Sequence, residues 1–199
     1  MSLKEILETN ARFLLEHRPE PMPHAPRKHW AIVSCMDFRL SELLERALGI
    51  HRGDAIMIRN AGNTRTPLDR SVLRSLFAAV LLFDIQEVLV VGHTRCGMRM
   101  DVMKAMDRMQ ALGIPREALG GHDLREWLGL IAGEAENVRQ VVQEITSSLL
   151  IPKSIAVYGF VIDVETGRLE YVAGRDRSEK EIEDKPESRS RRVTHTYRE

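Results

Sequence analysis

Cysteine is scarce in this chain: only Cys35 and Cys96 occur among 199 residues. Two thiols cannot staple a disulfide-built fold, so the core has to come from apolar burial. The chain is long enough for one α/β domain of that kind. No Cys-x-x-Cys is present, which removes the paired thiols of a redox turn. Charge of one sign is also lacking. Lys and Arg number 29 and Asp and Glu number 29, so nothing in the balance favours nucleic acid or an anionic membrane as a partner. The longest apolar runs, "LFAAVLLF" and "VLVVG", are too short to span a bilayer. The opening "MSLKEILETNARFLLEHRPE" mixes charges into its apolar positions, unlike a secretory signal. A cytoplasmic protein is therefore expected, where thiols stay reduced. No internal repeat is seen.

What is present alternates in period. Ser2 and Glu5 have capping-box spacing, and Leu3, Ile6, Leu7, Phe13 and Leu14 follow a helical stripe. The following "HRPEPMPHAP" carries four prolines and predicts an extended connector. A helix on such an arm cannot bury its own stripe, which points to a partner subunit and a homodimer or higher homo-oligomer. Next come a strand "WAIVS", a helix "LSELLERALG" ending at Gly49, and a strand "AIMIRN" running into the loop "AGNTRTP". A helix over residues 69–83 precedes "EVLVVGH", whose unbroken apolar run reads as a buried parallel strand. Two helical segments follow, "MRMDVMKAMDRMQALG" and "GEAENVRQVVQEITSSLL". The chain then reads as a hairpin-like pair, "SIAVYGFVIDV" and "RLEYVAG", joined by "ETG". Strand–helix alternation predicts a central, mainly parallel β-sheet flanked by helices, with the N-terminal helix as an arm. Residues 175–199 are charge-dense and predict a solvated tail.

Both cysteines stand just past the ends of predicted buried strands. Cys35 follows "WAIVS", while His93 and Cys96 follow "EVLVV". In parallel sheets the crevice beyond the carboxyl ends binds ligands, so two loops can assemble one site there. Taken singly, Cys35 or Cys96 is an ordinary buried thiol and His93 a hydrogen-bonded structural histidine. Taken together they make a Cys₂His set that suits zinc with one coordination position left over. Asp37 is the candidate to occupy or vacate that position.

At this point the sequence resembles the β-class carbonic anhydrases, nearest their shorter, archaeal-type branch. The matching residues are Cys35-Met36-Asp37-Phe38-Arg39, then Gly53-Asp54 through "IRNAGN", then His93-Thr94-Arg95-Cys96-Gly97. The resemblance implies one Zn²⁺ per subunit held by Cys35, His93 and Cys96, with Asp37 and Arg39 as the family's catalytic Asp–Arg pair. It implies reversible hydration of carbon dioxide to bicarbonate and a proton by zinc-bound hydroxide, and dimers in which the N-terminal helices wrap the neighbouring subunit. The domains expected are an arm and connector over 1–26, a zinc-binding α/β domain over 27–174 and a tail over 175–199. Arg95 departs from the related branch, which often has an acidic residue there. Three other readings stay open: hydrolysis of carbon disulfide or carbonyl sulfide on the same scaffold, a non-catalytic module with Asp37 closing the metal, and a thiol redox protein. His51, His122 and His195 are proton-shuttle candidates only because histidine titrates near neutrality.

Overall fold

A computed structural model describes residues 2–63 and 70–176. The expected tail and His195 lie outside them, apart from Arg175 and Asp176, and so does Asp69 at the start of the third expected helix.

Five strands form one sheet: β1 (Trp30–Cys35), β2 (Ala55–Asn60), β3 (Glu87–His93), β4 (Ala156–Ile162) and β5 (Leu169–Arg175). Their spatial order is β2-β1-β3-β4-β5. The first four are parallel, and β5 returns antiparallel to β4. The α/β architecture expected from the alternation is the one observed. β1 and β3 bury nearly every residue because helices cover both faces, as their unbroken apolar runs required. Below the sheet, Val33, Val88, Val90 and Val157 join side chains of α3 (Ser71–Phe83) and α6 (Glu134–Ser147). Above it, Ile32, Leu89, Val91 and Ile162 meet Leu40 and Leu44.

α6 lies unusually close to the strands. A Cβ on Gly92 would stand 2.7 Å from Val138, and one on Gly159 would stand 2.6 Å from Val138 and 2.8 Å from Val142. Bare backbone at these two positions lets the helix settle onto β3 and β4.

Helix α1 (Leu3–Glu16) begins with the expected capping box. Ser2 Oγ accepts from the Glu5 N–H, and the Glu5 carboxylate accepts from the Ser2 N–H. None of its residues is buried. The expected helix "LSELLERALG" is shorter than its pattern: α2 spans only Leu43–Ala47, because Phe38–Leu40 forms a separate 3₁₀ turn and Glu42 sits at φ +64°. The Met-rich segment divides likewise into a 3₁₀ turn at Gly97–Arg99 and α4 (Val102–Ala111), with Asp101 capping the second piece. A short helix, α5 (Leu124–Leu128), capped by Asp123, had no clear periodic signal. Among the described residues no helix is long and apolar enough to cross a membrane.

Candidate metal centre

The strand order places a reversal between β1 and β3. From β1 the chain goes to β2 on one side, and β3 then takes the other side. Connecting loops diverge at such a point and leave a crevice at the carboxyl ends. Cys35 is the last residue of β1 and His93 the last of β3, so both open into it. Cys96 follows within one short loop. The ligand atoms of Cys35, His93 and Cys96 all lie within 4.8 Å of one another, and all three residues are buried. A shared tetrahedral zinc would hold such atoms about 3.5–4 Å apart, so little adjustment is needed.

Donor chemistry fits a cation better than a plain core. His93 Nδ1 lies 3.0 Å from the Thr94 carbonyl and must donate to it, which leaves Nε2 carrying the lone pair. His93 is 1% exposed, and Nε2 makes no well-formed hydrogen bond among the described residues. It faces the Cys35 sulfur and lies 3.8 Å from Asp37 Oδ2. A buried ring nitrogen left in that state is costly unless something binds it. Burial, the largest single effect, pulls the imidazole's pKa down, but the Cys35 thiolate, the Thr94 carbonyl and Asp37 together outweigh it, and the net shift is upward.

The two thiols are coupled through one proton. A hydrogen bond from Cys96 holds Cys35 down to about 4 against the opposing effect of burial, helped by His93 and by the N–H groups of Asp37 and Gly62. Cys96 is pushed up by the Cys35 thiolate and by burial. One sulfur is thus anionic while the other keeps the proton that a divalent ion would displace.

Beside the sulfurs, Asp37 and Arg39 form a two-pronged pair. Arg39 Nε donates to Asp37 Oδ1 at 2.9 Å and Nη2 to Oδ2 at 2.7 Å, while the Arg39 backbone N–H adds a third bond at 3.0 Å. The Arg39 hydrogen bonds hold the Asp37 carboxyl down to about 2. Arg39 Nη2 also donates to the carbonyl of Arg95, at 2.9 Å. Arg95 adopts φ +55°, and its side chain turns away to pair with Glu165 at 2.5 Å, so it brings a carbonyl rather than a charge to the pair.

His51 sits in the turn before β2, at the opposite end of the sheet from the cysteines, and His122 is exposed in the turn before α5. Neither joins the cluster. Glu134 and Asn137 from α6 do reach the ligand loops, and no motif marked them. A lone polar pair at the start of an amphipathic helix carries no signal in a single sequence.

A mainly parallel sheet with two cysteines and a histidine converging at its switch point, flanked by a locked Asp–Arg pair, defines an α/β protein with a candidate metal site. The carbonic anhydrase family model matches residues 30–169. YvdA of Bacillus subtilis, whose own assignment as a carbonic anhydrase is provisional, is 37% identical over 86% of this chain and 91% of its own length. A carbon disulfide hydrolase of Acidithiobacillus thiooxidans is 31% identical over 85% of this chain and 90% of its own. The crystal structure of β-carbonic anhydrase isoform I from Trichomonas vaginalis superposes with a TM-score of 0.78 at 30% identity, covering 86% of this chain and 98% of that one. The chain belongs to the β-carbonic anhydrase family.

Proposed function

We propose that this chain catalyses the reversible hydration of carbon dioxide to bicarbonate and a proton, using one zinc ion per subunit held by Cys35, His93 and Cys96. The observation that carries the reading is the locked carboxylate beside the thiolates. Both Asp37 oxygens are engaged by Arg39, which favours a fourth coordination position left to solvent over one closed by Asp37. When bound, zinc supplies an acidified water, with a pKa lowered from 15.7 to about 7 in the carbonic anhydrases that use three histidines. Asp37 is far too acidic to take that proton. Its part is to accept a hydrogen bond from the attacking oxygen and so aim it, with Arg39 fixing the carboxylate's direction. Ile32, Leu89 and Val91 belong to the same apolar cluster as Cys35 and Cys96, and apolar surroundings suit a small, linear, uncharged substrate.

Carbon disulfide and carbonyl sulfide have the same shape, and the relative from Acidithiobacillus thiooxidans keeps that reading as the second one. Zinc quantification and stopped-flow assays with carbon dioxide and carbon disulfide, on one sample across pH 6 to 9, test both. Carbon dioxide turnover proportional to zinc content is the expected result. Turnover of carbon disulfide alone would transfer the assignment, and stoichiometric zinc without either activity would mark a non-catalytic module. The reading places the chain in the cytoplasm, where its two buried thiols stay reduced.

The functional unit in this reading is a homodimer. Ile6 and Leu7 on α1 are 51% and 61% exposed, and Phe13 and Leu14 are 52% and 62% exposed. An aligned apolar stripe left this open calls for a cover. Leu7→Glu combined with Phe13→Glu is expected to shift sedimentation from dimer to monomer while leaving the fold of a single subunit intact. An unchanged sedimentation coefficient would remove α1 from the interface.

A further inference from the structure

We infer that the first turn of α6 is the brace that sets the relative position of the two cysteine ligands, with Glu134 and Asn137 as its two contact points. The inference rests on the zinc reading above and concerns residues outside every motif of the site.

Glu134 and Asn137 stand three residues apart and so share one face of the helix. Glu134 reaches the second ligand loop: its Oε1 accepts from the Cys96 N–H at 3.3 Å, and its Oε2 pairs with Arg99 at 3.4 Å. Asn137 reaches the loop after β2: its Nδ2 donates to the Gly62 carbonyl at 3.0 Å and lies 3.4 Å from Asn63 Oδ1. Gly62 passes the contact on, because its N–H donates to Cys35 Sγ at 3.2 Å. Gly62 itself is held at φ +71°, a conformation glycine adopts without strain, and Asn63 follows at φ +47°. One helix turn therefore grips the Cys96 loop through that ligand's own backbone and, through the loop after β2, the peptide whose N–H donates to the Cys35 sulfur.

A simple core role accounts less well for these residues. Asn137 is 7% exposed beside the fully buried Val138, and an apolar residue there would avoid desolvating an amide. The Glu134 side chain is only 14% exposed and carries its charge toward Cys96, where a carboxylate disfavours thiolate formation. Both choices make sense if alignment of the ligands is what they supply. Bonds to the ligands' surroundings also temper how much charge a thiolate donates, and partners of this outer kind typically change metal affinity or activity by about 10–100-fold. Asn137 and Glu134 are positioning residues and touch no reacting atom.

The test uses full-length protein loaded with zinc or cobalt. Chelator-driven zinc release and the sulfur-to-cobalt absorption bands are measured for Asn137→Leu, Glu134→Ala, Glu134→Gln and, as a control on the exposed face of the same helix, Gln140→Ala. Asn137→Leu and Glu134→Ala are expected to release zinc about 10–100-fold faster with altered cobalt bands. Glu134→Gln, which keeps an acceptor for the Cys96 N–H, and Gln140→Ala should stay near wild type. The metal-free melting temperature of Glu134→Ala should be unchanged, which separates alignment from general destabilisation. If Asn137→Leu does not fold, Glu134→Ala decides alone. Wild-type release rates and spectra in Glu134→Ala, or in both variants, overturn the inference and leave the zinc reading standing. A wild-type protein that takes up neither ion overturns the zinc reading and this inference with it.

Discussion

Cys35→Ser is expected to lose zinc and activity together. The serine hydroxyl stays protonated at neutral pH, so the variant withdraws an anionic sulfur from a buried set of three donors. Removing a direct ligand should weaken binding by more than the roughly 100-fold that outer partners account for. Carbon dioxide hydration should fall in proportion to the metal remaining. Folding should survive, because the smaller side chain replaces a residue already buried and the Gly62 N–H keeps an oxygen to donate to. Zinc per chain and stopped-flow hydration on the same preparation check both halves. Full zinc occupancy in Cys35→Ser would remove Cys35 from the ligand set.

Arg39→Ala is expected to act differently, keeping the metal while losing rate by about 10–100-fold. Without the guanidinium, nothing pins the carboxylate of Asp37, which is then free to turn toward the ion. The same variant has a thermodynamic signature. In the wild type Arg39 holds Asp37 at about 2, below its ordinary 3.8. A carboxylate with a depressed folded-state pKa adds stability that is fully present above 3.8 and disappears as pH falls through 2. Arg39 is about one-third exposed and partly screened, so the contribution is well below what the full shift implies. Urea unfolding of the metal-free proteins should therefore separate wild type from Arg39→Ala at pH 7 and bring them together near pH 2. Equal activity at equal zinc content would show that the pair is only a structural salt bridge.

Much of this site is legible in the sequence because its parts lie where strands end. An unbroken apolar run such as "EVLVV" announces a buried parallel strand, and the residues just beyond it have nowhere to go but the crevice. That logic joins Cys35 to His93 and Cys96 across a long gap in the chain. Local chemistry reads equally well: the capping box of Ser2 and Glu5 and the bidentate reach between Asp37 and Arg39 depend only on neighbours. Periodicity overextends where a capping side chain or a positive φ interrupts it, as at Glu42 and Asp101. Contacts that exist only after the sheet is assembled stay hidden. Nothing in "GEAEN" reveals that Glu134 meets the Cys96 loop and Asn137 the Gly62 loop, since both pairings depend on where α6 comes to rest. Arg95 shows the converse: its side chain suggests an altered field at the site, but the left-handed backbone sends that charge toward Glu165 and leaves a carbonyl inside.

The closeness of α6 to Gly92 and Gly159 carries a consequence for how the molecule fails. If α6 braces the zinc ligands as inferred, the seating depth of that helix also sets their spacing, so a methyl group added at either glycine would be felt at the sulfurs. Gradual warming that loosens this seam should misalign the catalyst well before the sheet comes apart. Loss of turnover, rather than melting, then becomes the earliest sign that the fold is giving way.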